Sequence, residues 1–458
     1  MFIDIIGKAA VSVTLLTVSL SAQCLVDNPG GKKANPFRPS NADTPAANFS
    51  PLEYVNDDLP DWICFTAGYR ARFEGYENGS FKADNTDSYL LTRFRLGTLI
   101  KPTSWLNAYV ELQDATAIDK NPPLAPPYQS TWDLRRAYVD IGNLETSPVS
   151  IRIGRQDLNF GAGRLVGTSY WRNASRGYDA AMLVLNTNWI RVNAFSASVV
   201  IPGDNGLSHH QQGNNLHGLV GIVKKFVPGS TLEPYLFWKL APGVTDEERK
   251  LVKTDVRTIG ARWSGNASQL DYDAEVAGQT GSLGQDQIRA WAWVADLGYT
   301  LKDAPLTPHL FAEYDFASGD KNPTDGRRGT FDQLYPNIHD HHGLADQVAW
   351  QNLKEFRAGA RISLRRNWTV AGAYNDWWLA SATDAFYNSS GSIVARDPKG
   401  LSGTHIGEEY DAETTYRFNR DLEFGTGIGH ILPGGFLAKT IKGKPYTYPY
   451  VMLNYNFF

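Results

Sequence analysis

Arginines at alternate positions are the chemistry-bearing feature of this sequence. Arg70 and Arg72, then Arg93 and Arg95, stand two residues apart in segments that alternate apolar and polar side chains. Arg136, Arg152, Arg155, Arg357 and Arg361 follow in similar settings, and Arg176 and Asp179 stand just beyond a glycine-rich stretch. A guanidinium keeps its charge at any working pH, and its planar fork grips a carboxylate through two parallel hydrogen bonds. A row of them on one strand face suits a path for anions. The competing role is structural, with each arginine paired to an acid in a ladder that stiffens a wide fold. Asp271, Asp273, Glu275, Glu313, Asp315, Glu409, Asp411 and Glu413 alternate in the same way. Arginine gathered on one wall and acid on the other would satisfy both patterns.

Catalytic chemistry finds less support. His339, Asp340, His341 and His342 are ligand types, but they fall in the long connection 318–350. That connection is expected to be an external loop, solvated or facing lipopolysaccharide, and not a metal centre. Paired carboxylates could serve a glycosidase, yet so many acids nominate no unique pair. No G-x-S-x-G, P-loop or dinucleotide fingerprint is present. The expectation is therefore no enzyme, no catalytic residue, no metal and no cofactor. A net charge of −4 gives no general attraction for polyanions, so nucleic acid is not an expected partner.

The elements that carry these side chains read as strands. In 105–113, Leu106, Ala108, Val110 and Leu112 alternate with Asn107, Tyr109, Glu111 and Gln113; in 355–364, Phe356, Ala358, Ala360, Ile362 and Leu364 alternate with Glu355, Arg357, Gly359, Arg361 and Ser363. This is the period of a half-buried strand. Such segments recur at 65–76, 88–100, 105–115, 133–141, 149–156, 178–185, 190–199, 217–226, 231–239, 255–264, 269–280, 288–300, 308–317, 351–364, 368–378, 405–418, 421–430 and 447–458. The fold class this predicts is all-β, a transmembrane antiparallel up-and-down barrel of about 18 strands, an even number as bacterial single-chain barrels have. Connections alternate long and short, as in 77–87 against 101–104 and 318–350 against 365–367. Short periplasmic turns and long external loops have that parity. Phe65, Trp105, Trp189, Phe226, Trp263 and Trp368 gather at the short turns, which fits an interfacial girdle. Aromatics are 12% of the 458 residues, with 22 Tyr and 13 Trp against 3 Met. After residue 22 no stretch approaches the roughly 18 apolar residues that a spanning helix needs. Val451, Leu453, Tyr455 and Phe457 share one face of the last segment, and Phe458 ends the chain.

Residues 1–22 read as a signal peptide, with Lys8 before the apolar run Ala9 to Leu20 and small residues at Ser21-Ala22. Residues 23–60, rich in Pro and Asn, read as an extended periplasmic leader without a core, and 61–458 as the barrel. Cys24 and Cys64 are either a disulfide or two separate thiols, and Gln23 argues against a lipidated Cys24.

The segment from 150 to 185 contains Arg152-Ile153-Gly154-Arg155-Gln156, Gly161-Ala162-Gly163-Arg164, Trp171-Arg172-Asn173 and Tyr178-Asp179-Ala180-Ala181. It resembles the alginate export family of outer-membrane proteins, and Arg70/Arg72, Tyr89–Arg95 and Arg135-Arg136-Ala137-Tyr138 sit where that family has its early arginine strands. The similarity is dense over about 65–200 and architectural afterwards. The resemblance implies an eighteen-stranded barrel passing an anionic polysaccharide outward through an arginine-lined constriction. The acids dilute the positive lumen, and the tight turn at Asn419-Arg420 stands where the alginate exporter has a long periplasmic loop. The expected function is an outer-membrane channel exporting an anionic polysaccharide or oligosaccharide, with a substrate-specific uptake porin for small anions or acidic sugars as the alternative and a membrane-embedded enzyme a distant third. Expected partners are outer-membrane lipid, lipopolysaccharide, the outer-membrane assembly machinery and the transported anion.

Overall fold

The computed structural model describes residues 51–122, 127–204, 206–224, 227–246, 250–339 and 341–457. The signal peptide, most of the leader, Cys24, Phe226, Asp340 and Phe458 lie outside the described residues.

The barrel strands are β1 (Ile63–Tyr76), β2 (Asp87–Thr103), β3 (Leu106–Ile118), β4 (Ser130–Ile141), β5 (Val149–Gln156), β6 (Gly177–Asn186), β7 (Ile190–Ile201), β8 (His209–Val223), β9 (Ser230–Thr245), β10 (Leu251–Ala267), β11 (Leu270–Leu283), β12 (Asp286–Thr300) and β13 (His309–Ala317). After the short bridging strand β14 (Arg327–Arg328) come β15 (Leu353–Arg365), β16 (Trp368–Leu379), β19 (His405–Arg417), β20 (Leu422–Pro433) and β21 (Tyr446–Asn456); β17 (Ala385–Tyr387) and β18 (Ile393–Arg396) form a separate hairpin between β16 and β19. Eighteen antiparallel strands pair with their neighbours in turn, and β1 closes the circle on β21 with Arg70 opposite Asn454. Closure removes every sheet edge, the condition for strands to cross lipid with all backbone groups paired.

The alternation sorts as expected on most strands. On β1, Arg70, Arg72 and Glu74 are buried, while Tyr69 and Phe73 are 38% and 48% exposed. This is a water-soluble protein turned inside out, and the hydrocarbon of a bilayer is what covers such a face. Trp105, Trp189, Trp263 and Trp368 are all exposed where short turns begin or end, as a girdle requires.

Three expectations are corrected. The leader is not extended to residue 60: helix α1 (Pro51–Asp57) precedes β1, held by the Asn56 side chain on the Phe65 backbone and by Glu53 on Arg420 at 3.0 Å. The inner faces of β6 to β9 are largely apolar, with Arg191, Glu233 and Lys239 as charged exceptions paired to Glu145, Arg262 and Asp332. Met182, Val184, Phe195, Leu216, Val220 and Phe237 point inward and pack with Leu158, Phe160, Leu165 and Val166 of the 157–176 connection. Loop residues stand in for water there, so apolar side chains are stable on both sides of the wall. Finally, the connection 318–352 is not a solvated external loop. Phe331, Trp350, His339, His341 and His342 are all buried, because the chain turns back into the barrel.

The register of β15 makes a sharp prediction. Glu355 and Arg357 face inward and are buried, whereas Phe356 is 42% exposed, so Ala358 shares the lipid side. Ala358→Arg should destabilise the barrel by about 2–4 kcal/mol near the midplane, and Ala358→Leu should be tolerated. Urea titration of both variants in lipid vesicles checks this; equal stability would place Ala358 on the wrong face.

Candidate functional site

Two adjacent strands build the first wall. Arg70 on β1 stands directly opposite Arg93 on β2, with Arg95 and Arg72 on the same face. Facing like charges are unfavourable unless something answers them, and a loop does. The connection 157–176 folds inward and presents its carbonyl oxygens. Arg70 donates to Tyr170 O at 3.1 Å and to Arg172 O at 3.2 Å, while Arg93 donates to the same two oxygens at 3.0 and 3.1 Å. Arg72 donates to Trp171 O at 2.6 Å, and its guanidinium lies 3.9 Å above the Trp171 ring. Arg95 reaches Gln113 at 2.8 Å and Ser175 Oγ at 3.0 Å.

Among the described residues only Arg72 of these four also has a carboxylate, Glu74 at 2.6 Å. Arg70, Arg93 and Arg95 donate to neutral oxygens, and the nearby acids Glu74, Glu111 and Asp157 are each paired with another arginine, so the wall keeps a net positive charge. Arg93 and Arg95 are only half-buried, so their field reaches the passage.

Asn173 locks the loop in place. Its Nδ2 donates to Thr92 O, Thr116 O and Tyr128 O at 3.0, 3.2 and 3.0 Å, and its Oδ1 accepts from Arg70 at 3.2 Å. An ionic cluster supports the loop's first residue: Asp157 accepts from Arg135 at 2.5 Å and from the Tyr170 hydroxyl at 2.8 Å, and Arg136 pairs with Glu111 at 2.5 Å. Burial alone would raise the Asp157 carboxyl, but Arg135 and Arg136 outweigh it and hold Asp157 below the usual carboxylate range. Burial, with Asp157 beside it, pushes the Tyr170 hydroxyl up to about 12, which keeps it a donor at neutral pH.

The second wall is acidic and holds the second inward loop by the opposite chemistry. Glu409 on β19 accepts the Ala345 backbone N–H at 2.8 Å, and Asp411 accepts that of Leu344 at 3.3 Å. Gly343 precedes them with φ +87°, and a Cβ there would lie 2.2 Å from Glu409 Oε2, so this bend needs glycine. Arg164 crosses from the first loop to Glu313 on β13 at 2.5 Å.

The two loops join between the walls. Gly167 N donates to Tyr335 O at 2.8 Å, Tyr335 N to Leu165 O at 2.9 Å and Asn337 N to Gly163 O at 2.8 Å. Trp171 stacks on His339 with 3.8 Å between ring centroids and 4° between planes. Arginines therefore grip the carbonyls of one loop, acids grip the amides of the other, and the loops hydrogen-bond across the lumen. At one side of this bridge lies a cavity of about 740 Å³, lined in part by Asp246, Arg328, Asp332, Tyr387 and Arg396.

The expected site residues divide as follows. Arg70, Arg72, Arg93, Arg95 and Arg136 form the first wall, and Arg152 faces inward in a two-pronged pair with Asp140 at 2.6 and 2.7 Å. Arg176 bonds Gly167 O and Pro336 O at 3.0 and 3.2 Å, part of the loop bridge. Arg357 and Arg361 face inward on β15, away from the first wall, with Arg361 opposite His309. Arg155 and Asp179 are not lumen residues. Arg155 shares the face of the exposed Val149 and Ile153, and it pairs with Asp179 at 2.8 Å on the outer side. Arg164, Glu355, Arg135 and Asp157 take part in the interior network although none of them is among the expected site residues. Arg164 and Asp157 lie in a loop with no periodicity to mark which side chains turn inward; Arg135 is the extra residue of a β-bulge opposite Glu111 and Leu112.

Comparison with known proteins gives this arrangement a family. A family profile described as alginate export matches residues 61–445. The chain belongs to the alginate export family. No curated protein sequence matches it, but solved structures do. OccK11 (OpdR) of Pseudomonas aeruginosa aligns over 90% of this chain and 98% of its own, with TM-score 0.53 and 12% identity. OccAB4 of Acinetobacter baumannii aligns over 86% and 97%, with TM-score 0.56 and 10% identity, and OpdQ of P. aeruginosa over 86% and 97%, with TM-score 0.58 and 10% identity. At such identities the likeness to these porins is one of fold. Family and fold together make this alginate export family member a channel of the bacterial outer membrane and not an enzyme.

Proposed function

We propose that this channel conducts an anionic saccharide, exported as a polymer or oligomer in the manner its family description implies. The supporting observation is the charge on the first wall: Arg70, Arg93 and Arg95 carry three positive charges and bond only neutral oxygens among the described residues. Charge left uncancelled in a narrow, partly desolvated passage acts far more strongly than in bulk water. A carboxylated sugar ring passing Arg93 and Arg95 exchanges hydration for guanidinium contacts, and hydrogen bonds to neutral carbonyls leave the arginines free to contribute them.

The alternative, uptake of small anions or acidic sugars, draws support from two features. The lumen is bridged by two loops bonded to each other, and the 740 Å³ cavity beside them is of a size for one or two sugar rings. Single-channel recording in planar bilayers distinguishes the readings. Polymer export predicts a large, weakly rectifying conductance once the loop bridge opens. Small-solute uptake predicts a small, steady conductance. Either requires anion over cation preference under a salt gradient, and cation preference would defeat both.

A further inference from the structure

We infer that Asp315, His342 and Glu355 form a binding site for one divalent transition-metal ion of the zinc type, latching the inward loop to the acidic wall. Asp315 on β13 and Glu355 on β15 are directly opposite across the strand pair, both facing inward and both fully buried. The neighbouring pair on the same face is Glu313 opposite Arg357, which is complementary. Two carboxylates in the next position are not, and like charges facing each other across a ladder oppose folding unless a cation joins them.

His342, 7% exposed, is brought to this pair by the inward turn of 318–352. One donor atom from each of the three residues lies within 4.8 Å of the others, and His342 Nδ1 is 2.5 Å from Glu355 Oε2. Among the described residues no donor reaches Glu355 Oε1, and the carboxyl beside Asp315 is that of another acid, Glu313. The cation that reaches the pair is Arg164, 3.6 Å from Asp315 and already engaged with Glu313 at 2.5 Å. Two buried carboxyl groups beside an imidazole are an open three-ligand set. Zinc accepts His nitrogen and Asp or Glu oxygen at about 2.0–2.2 Å and leaves a fourth position to water. Calcium or magnesium would call for more oxygen ligands. The ligands come from two wall strands and from the loop, so the ion would tie the loop to the barrel. The rival arrangement is a protonated His342 answering the two acids without metal.

Purified barrel in detergent, without a polyhistidine tag, is titrated with Zn²⁺ alone, and metal retained after gel filtration is counted. The wild type should hold one Zn²⁺ per chain. His342→Ala and Glu355→Gln should each weaken binding by at least about tenfold, the scale on which metal sites respond to damaged ligation, while His210→Ala, on an exposed histidine away from the loop, should leave it unchanged. Zinc should also raise the temperature at which the wild type loses its compact gel mobility, and should not do so in His342→Ala. No retained zinc in the wild type would overturn the proposal whatever the variants do. Equal binding in His342→Ala and Glu355→Gln would overturn it too, leaving protonation of His342 as the answer to the acid pair.

Discussion

Replacing Arg93 and Arg95 together by glutamine should remove most of the channel's anion preference. These two are the half-buried members of the first wall, whereas Arg70 and Arg72 are nearly inaccessible beneath the loop. Each unit charge interacts with a passing anion by up to about 4 kcal/mol at contact for an effective dielectric near 20. Losing two such charges should shift the reversal potential in a dilute salt gradient towards zero. The shift should shrink at 1 M salt, where screening falls to about 3 Å. Glutamine retains donors for Tyr170, Arg172 and Ser175, and Arg70 still holds the first two. The barrel should therefore assemble and keep its heat-modifiable mobility. An unchanged reversal potential in low salt would reduce both arginines to anchors for the loop.

The second large effect should come from Asn173→Ala. This buried side chain closes four hydrogen bonds, three of them to backbone carbonyls on separate segments. A buried acceptor left unsatisfied costs about 1–3 kcal/mol, so truncation should release the 157–176 loop before it unfolds the barrel, whose strand ladders do not depend on Asn173. Single-channel conductance should rise and become noisier, and added protease should cut within 157–176. Wild-type conductance and protease resistance in Asn173→Ala would show that the arginine contacts alone keep the loop inward.

The strands were legible in the sequence because a membrane barrel repeats one rule, apolar out and polar in, and Phe356, Arg357 and Ala358 obey it in the β15 register. The rule fails where a second layer replaces water. Phe195, Leu216 and Phe237 face the lumen because Phe160 and its neighbours pack on them, and no periodicity in one strand announces a distant loop. The same absence misplaced the histidines: 318–352 carries polar residues throughout, and what turns it inward is Glu409 and Asp411 accepting its amides, contacts between segments some 60 residues apart. Arg155 was misplaced for a local reason. It stands three residues from the inward-facing Arg152, so the unbroken alternation of β5 puts it on the outer face beside Asp179, where an ion pair at 2.8 Å substitutes for apolar character. The Trp171-Arg172-Asn173 motif was visible as a motif, and its physical purpose became clear only with Trp171 under Arg72 and Asn173 among three carbonyls.

The central claim, a passage selective for anionic saccharides, is tested most directly by blocking the open channel with sugars. Ion current through single channels is recorded in low salt while a short uronate oligosaccharide, and separately a neutral glucan oligosaccharide of equal length, is added to one side. The account predicts concentration-dependent interruptions by the uronate that weaken with salt and largely vanish in the Arg93→Gln/Arg95→Gln double variant, with little effect of the neutral sugar. Equal block by both sugars, or block by the uronate that survives the double substitution, would contradict it.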